Sequence, residues 1–284
     1  MTLHRALTAL TVAWTLAAGV AHAQQRPLVT EDPETIGAGR ILVELGADYG
    51  RDQHYPVSGL SGDVWSVPTI GLSLGLSSIA EIQFDGSPYV RFRIKDRDPR
   101  APLASRVVAP GEISDGVEDI VVGMKMRLIS ETERRPSFGL RFATKLPNSS
   151  TESGLEPDTT DFYATVLAGK TNRSTRYVAN LGLGILGDPT QGDRQSDLLV
   201  YGLSLAHAVR PGFEVVAEGN GRLHLNQGPA DPGGENHAIF RAGARYTFGP
   251  ARIDAAVLIG AAPSDANIGF TIGYTHVFNA FNVP

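Results

Sequence analysis

The stretch Ile268-Gly269-Phe270-Thr271-Ile272-Gly273-Tyr274-Thr275-His276-Val277-Phe278 places Phe270, Ile272, Tyr274, His276 and Phe278 on one parity. Gly269, Thr271, Gly273, Thr275 and Val277 fall on the other. Successive side chains of a strand point to opposite faces, so this segment reads as a strand with one broad, aromatic face and one small, polar face. The same period-two rhythm recurs upstream, giving about twelve strands near 39–50, 64–76, 79–95, 117–129, 137–146, 161–171, 175–187, 197–209, 212–225, 237–248, 252–261 and 268–278. Connectors at 51–63, 96–116, 147–160, 188–196 and 226–236 are long and rich in Gly, Pro, Asp and Asn. Those at 77–78, 130–136, 172–174, 210–211 and 249–251 are short, and only 262–267 interrupts the alternation. Long loops outside and tight turns at the periplasmic end are the signature of an all-β, antiparallel up-and-down transmembrane barrel.

Charge placement orients the faces. In the third strand Ala80, Ile82, Phe84, Val90, Phe92 and Ile94 alternate with Glu81, Gln83, Asp85, Tyr89, Arg91 and Arg93. In the fourth, Ile120, Val122, Met124, Met126 and Leu128 alternate with Asp119, Gly123, Lys125 and Arg127. An Arg held against lipid near the midplane costs about 2–4 kcal/mol, so several strands each carrying such charges must turn them inward. The expected lumen lining is Arg40, Glu44, Asp48, Glu81, Asp85, Arg91, Arg93, Asp119, Lys125, Arg127, Arg141, Lys145, Glu214, Glu218, Arg222, Arg241, Arg245 and Asp254. Both signs occur, so the set reads either as ion-paired cross-bracing or as a lining that orients polar or anionic solutes. In the second case the bases of the third to fifth strands form a candidate constriction. A soluble barrel would point its oily face inward instead. Segments of about ten to thirteen residues exceed the usual strand length of a soluble sheet and match a tilted membrane-spanning strand.

The remaining features bound the chain. At 284 residues, 42% hydrophobic and a net charge of −5, it carries no basic excess of the kind that binds nucleic acid. Cysteine is absent, which removes disulfides and thiolate metal sites and suits a chain that crosses an oxidising periplasm unfolded. Residues 1–23 read as a signal peptide, with a basic start through Arg5, an apolar core and the small-x-small site Ala21-His22-Ala23. Residues 24–38 are polar, hold Pro27 and Pro33, and are expected either to hang in the periplasm or to plug the lumen. The barrel is expected over 39–278, with a tail at 279–284. No later apolar run is long enough for a helical span, which leaves a closed barrel as the membrane solution.

Catalytic readings are weak. No His stands two residues before a Ser, the pattern a barrel phospholipase would need, and His276 reads as an interfacial aromatic. Glu214 and Glu218 lie four apart on one strand face and read as lumen charges. The acidic loops at 188–193 and 231–235 could hold Ca²⁺ but are more simply solvated. No cofactor or metal is expected. Expected partners are outer-membrane lipid, the barrel-assembly machinery and a small-molecule solute, with localisation in the outer membrane of a Gram-negative bacterium.

Several motifs carry a family resemblance through most of the mature length. They begin with Arg26-Pro27-Leu28-Val29-Thr30-Glu31-Asp32 followed by Gly39 and Glu44, then Gly116-Val117-Glu118-Asp119 with Gly123, Lys125, Arg127 and Leu128. Next come Pro136, Leu140-Arg141 and Lys145-Leu146-Pro147-Asn148, then Thr160-Asp161-Phe162 with Ala168-Gly169-Lys170. Asn180-Leu181-Gly182 and Gly187-Asp188-Pro189 complete the set. The chain resembles the outer-membrane barrels labelled for the meta-pathway of phenol degradation, often called transporters. The resemblance implies an outer-membrane barrel linked to aromatic catabolism and passage of small molecules. One departure is the end, where residues trail beyond Phe278 instead of stopping at an aromatic. The leading reading is a channel or uptake route for small, aromatic or hydrophobic solutes. The alternatives are a structural or adhesive barrel and a membrane-lipid hydrolase.

Overall fold

The computed structural model describes residues 26–225 and 230–282. The expected signal peptide, part of the 226–236 connector and the last two residues of the tail lie outside the described residues. Fourteen strand segments form one antiparallel sheet: β1 (Arg40–Tyr55), β2 (Leu60–Gly75), β3 (Ala80–Gly86), β4 (Val90–Arg97), β5 (Ile113–Gly116), β6 (Val121–Ile129) and β7 (Ser137–Lys145), followed by β8 (Asp161–Asn172), β9 (Thr175–Gly187), β10 (Gln195–Arg210), β11 (Phe213–His224), β12 (His237–Phe248), β13 (Ala251–Gly260) and β14 (Ile268–Asn279). Because β1 pairs with both β14 and β2, the sheet closes on itself and leaves no edge for lipid to strand. One side of β2 carries β3 along its 70–75 half and β4 along its 60–66 half, while β3 pairs β6 and β4 pairs β5. Thus β3/β4 and β5/β6 are each one broken strand, and the barrel has twelve staves.

Strand positions follow the sequence reading closely except at the outer end, where β5 (Ile113–Gly116) forms inside the expected 96–116 connector, residues 117–120 lie outside the strands, and the first hairpin runs on. The β1–β2 ladder continues through His54↔Ser61 and Tyr55↔Leu60, so the expected long connector 51–63 shrinks to 56–59. Register shifts interrupt the alternation there, yet backbone pairing carries on across them.

A second difference changes which side chains face the lumen. From Gly46↔Thr69 to Asp48↔Ser66, β1 advances two residues while β2 advances three, so β2 bulges at Val67-Pro68. Proline lacks an amide hydrogen and is tolerated at such a bulge. One extra residue flips the parity of everything beyond it. Gly71 therefore faces inward on one side of the bulge, and Ser66, Gly62 and Leu60 face inward on the other. The neighbouring stave breaks at the same height, where Val67 N–H donates to Tyr89 O (3.1 Å) and the Ser87 hydroxyl lies 2.9 Å from the carbonyl oxygens of Pro68 and Tyr89.

Beyond this break Val90, Phe92 and Ile94 are buried inside and pack with Leu60, Ala109 and Leu155. Arg91 and Arg93, expected in the lumen lining, instead face outward. The expectation failed because it extended one parity through the break at 87–89. Arg91 pairs across the ladder with Trp65, which meets Tyr49 at a tilt (4.6 Å) and Phe270 edge-on (5.6 Å) in an outer aromatic belt. Above the belt Lys95 bridges Asp52 (2.7 Å) and Asp63 (2.6 Å), so these charges sit beyond the oily band. A single cysteine at Arg93 is therefore expected to react with a membrane-impermeant maleimide on intact cells, whereas one at Phe92 is expected to stay unlabelled. The absence of native Cys makes the measurement direct. Labelling at 92 but not 93 would restore the unbroken parity.

Candidate functional site

Elsewhere the parity holds. Val166, Leu181, Leu203, Phe240, Val257 and Ile272 are exposed on the outer face, while Glu81, Lys125, Asp161, Glu218, Arg252 and Asp254 are buried. Buried charges need partners, and in this lumen many come from residues 26–38. That stretch has no secondary structure to satisfy its amides, and wall side chains supply what a ladder would. Ile36 N–H donates to Glu81 (2.7 Å). Glu34 pairs with Arg127, and Asp32 accepts twice from Arg176 (2.7 and 2.9 Å). Glu31 exchanges backbone bonds with the Asn180 amide (2.7 and 2.8 Å). Its carboxylate meets Arg141 at 3.1 Å and Lys125 at 3.3 Å. The amides of Val29 and Thr30 donate to Glu218 (2.9 and 2.6 Å). Arg26 then reaches Thr271 (2.6 Å), Ile272 O (2.8 Å) and Thr69 (3.2 Å). The partners run in order from β3 through β6, β9 and β11 to β14 and β2, so the segment circles the inner wall and returns beside its start. Glycine makes room for it: a Cβ at Gly46 would lie 2.3 Å from Arg26 Nη2, and one at Gly273 2.2 Å from its Nε.

The expected lumen residues can now be placed. Lys125, fully enclosed, sits between Glu81 (3.0 Å) and Glu31 (3.3 Å). Arg141 also reaches Gln83 (2.8 Å) and Asp85 (3.6 Å), Glu44 accepts from Thr275 (3.2 Å), and Arg40 donates to Ile36 O (3.1 Å). Arg241 pairs with Glu218 (2.6 Å) and Arg245 with Glu214 (2.8 Å) as direct cross-strand neighbours on β11 and β12. Lys145 draws together Asp161 (3.0 Å), Asp119 (3.3 Å) and Glu156 (3.9 Å). Asp119 also accepts the amides of Asn148 (3.1 Å) and Ser149 (2.8 Å), so the corner at 145–148 folds over that carboxylate. Asp48 and Asp254 face Arg26 at 3.5 and 3.6 Å, and Arg222 donates to the carbonyls of Gly233 and Glu235.

Residues absent from the expected lining are Glu31, Asp32 and Glu34 on the segment, and Arg176, Asn180 and Tyr163 on the wall. The signal for the first three was present as acids in a short polar stretch, but nothing local paired them with strand bases. Of the acidic loops, Asp188 accepts from Thr190 and Gln191 in a turn, and Asp231 lies 3.3 Å from Arg194. Among the described residues no cluster has metal-binding geometry. His276 hydrogen-bonds Tyr274 (3.0 Å), stacks on its ring and meets Phe278 at a tilt.

Three cavities that share lining residues lie within the barrel. A mouth cavity of about 290 Å³ is enclosed by the β1–β2 tip, the β7–β8 connector and the walls of β8 and β9. Ser58 Oγ donates to Gly154 O and Ser114 Oγ to Ser153 O, both at 2.6 Å, which ties these connectors over the opening. A middle cavity of about 380 Å³ shares Tyr163, Arg222 and His237 with the mouth and is floored by Val29, Thr30 and Glu31. A third of about 500 Å³ shares Val29, Glu31, Arg141 and Tyr163 with the middle one.

Among solved structures, an outer-membrane channel from Pseudomonas putida F1 superposes with a TM-score of 0.60 at 14% identity, over 87% of this chain and 98% of that one. The NanC porin superposes with a TM-score of 0.52 at 8% identity, over 82% and 98%. At these identities the likeness is one of fold. No curated protein matches the chain in sequence. A family model covers residues 24–275, so the chain belongs to the family described as "Putative MetA-pathway of phenol degradation".

Proposed function

We propose that this protein is a passive channel of the outer membrane for small solutes of the aromatic or weakly polar kind, with residues 26–38 acting as a plug that sets the width of its path. The supporting observation is the run of shared-wall cavities from the outer mouth to the Val29–Glu31 floor inside a closed barrel. The family label and the fold of the Pseudomonas channel support the same reading. The chain is delivered by its signal peptide at 1–23 through the periplasm to the barrel-assembly machinery, and its oily band rests in outer-membrane lipid. It is not an enzyme: His276 serves as an interfacial aromatic.

The dense ion pairing around the plug favours one competing reading, a barrel closed for good that serves as a scaffold. Deleting the gene separates the two. Slower growth on low concentrations of an aromatic carbon source, restored by the wild-type gene, is the expected result. Unchanged growth, together with purified protein that conducts nothing in planar bilayers, would favour the scaffold.

A further inference from the structure

The middle cavity stands apart in its balance of charge. The fully charged side chains on its wall are Glu31, Arg141 and Arg222, so one acid faces two bases. Glu31 is held by Arg141 at 3.1 Å and by Lys125 at 3.3 Å, and the imidazole of His237 is taken up by Asp265. Arg222 has no such partner. Its Nε donates to Glu235 O and its Nη2 to Gly233 O, both at 3.0 Å, and these carbonyls satisfy two N–H groups without cancelling the charge. The Glu235 carboxylate turns instead to the N–H of Gly233 at 3.1 Å. Residues 1–25, 226–229 and 283–284 contain no Asp or Glu, so no acidic side chain of the protein ion-pairs with this guanidinium. Unused donors line the same cavity. Asn220 stands two residues from Arg222 on one inner face of β11, and its Oδ1 accepts from Arg241 (2.7 Å), which leaves its amide N–H groups without a partner among the described residues. The Thr30 hydroxyl is buried and makes no hydrogen bond, and the Tyr163 hydroxyl makes none among the described residues. A buried hydroxyl left unpaired costs about 1–3 kcal/mol, so these groups call for a partner that enters from outside the chain. Tyr163, Arg222 and His237 also line the mouth cavity, which puts the unmatched charge at the neck between the two.

We propose that the middle cavity, at Arg222, Asn220, Tyr163 and Thr30, is a binding site for a small monocarboxylate. The inference goes beyond the channel reading, because it adds an anionic class of solute and stands whether or not that solute passes through. The planar guanidinium presents N–H groups to the two oxygens of a carboxylate, and Asn220 and Tyr163 supply further donors. One unmatched cation answers one negative charge. A second would be desolvated beside the Glu31 carboxylate with nothing to meet it, so dicarboxylates are rejected. A volume of about 380 Å³ lies at the lower end for ligand sites and leaves room for a short apolar body against Val29 and Val200.

Saturation-transfer NMR titrations of butyrate and butyramide against the full-length protein in deuterated detergent micelles test the site, with empty micelles as the blank. The two probes match in size, and only butyrate carries a charge. Saturable butyrate binding at pH 7, at least about tenfold tighter than butyramide binding, is expected. Arg222→Gln keeps a donor for the connector carbonyls and removes the cation. It is expected to bring butyrate down to the level of butyramide, while butyramide binding and the heat-modifiable migration of the barrel stay as in the wild type. Tyr163→Phe removes a hydroxyl that makes no hydrogen bond among the described residues and is expected to weaken butyrate binding about tenfold. Butyrate bound no more tightly than butyramide, or as tightly in either variant as in the wild type, overturns the site, and so does succinate bound as tightly as butyrate. Should Arg222→Gln fail to assemble, Tyr163→Phe decides on the same terms. Butyrate bound by a protein that neither conducts nor supports growth would instead overturn the channel reading and leave the site standing. Uptake by a protein that does not bind butyrate would do the reverse.

Discussion

Replacing Lys125 by Ala is expected to lower the unfolding free energy of the barrel by about 3–5 kcal/mol, because it leaves buried carboxylates without their cation. Lys125 has no exposed surface and holds Glu81 at 3.0 Å and Glu31 at 3.3 Å. Glu81 is just as enclosed and also accepts from Ile36 N–H and Gln83. The cost of the substitution is the stranded charge and not the net worth of the triad, so Lys125→Met combined with Glu81→Gln is expected to recover most of the loss. Urea unfolding in detergent, followed by tryptophan fluorescence from the outer belt, reads both. A loss below about 1 kcal/mol for Lys125→Ala would mean that water reaches the triad and that the packing of the segment against β3 and β6 is loose.

Deleting residues 26–36 is expected to raise single-channel conductance several-fold and to turn the current anion-selective. The segment carries Glu31, Asp32 and Glu34, which answer Lys125, Arg141, Arg176 and Arg127 on the wall. With it removed, those bases would line an open lumen, and a ring of fixed cations favours anions. Reversal potentials in a salt gradient measure the selectivity, and adding a peptide of sequence 24–38 on the periplasmic side is expected to reduce the current again. Conductance equal to wild type would show that the outer mouth, and not the segment, limits the path. The same deletion removes the hydrogen bonds to Glu218, Asn180 and Arg26's partners, so a lowered melting temperature is expected alongside.

The glycine pattern bears on why the segment sits where it does. Gly46, Gly202 and Gly273 all approach it so closely that a methyl would collide, a Cβ at Gly202 falling 2.8 Å from Thr30 Oγ1. These glycines look interchangeable with other small inward residues in the sequence. Only the position of a chain that passes across the face distinguishes them.

Alternation along the chain was enough to assign a closed membrane barrel of twelve staves, because strand periodicity is local and the cost of charge in lipid is large. It read Glu214, Glu218, Arg241 and Arg245 only as separate lumen charges, and the register of β11 on β12 is what sets Arg241 beside Glu218 and Arg245 beside Glu214. Local rules stopped working where one residue was added. The bulge at Val67-Pro68 and the break at 87–89 reversed the faces of the outer halves of two neighbouring staves, sent Arg91 and Arg93 outward, and brought Val90, Phe92 and Ile94 inside. Proline hinted at the bulge, but which side of it would be inverted depends on pairing with β1. The course of residues 26–38 was beyond any local reading, since a coil has no period and its contacts join positions as far apart as Arg26 and Thr271. Charge neutralisation inside a low-dielectric lumen selects that course, and it can act only after the wall has closed around it.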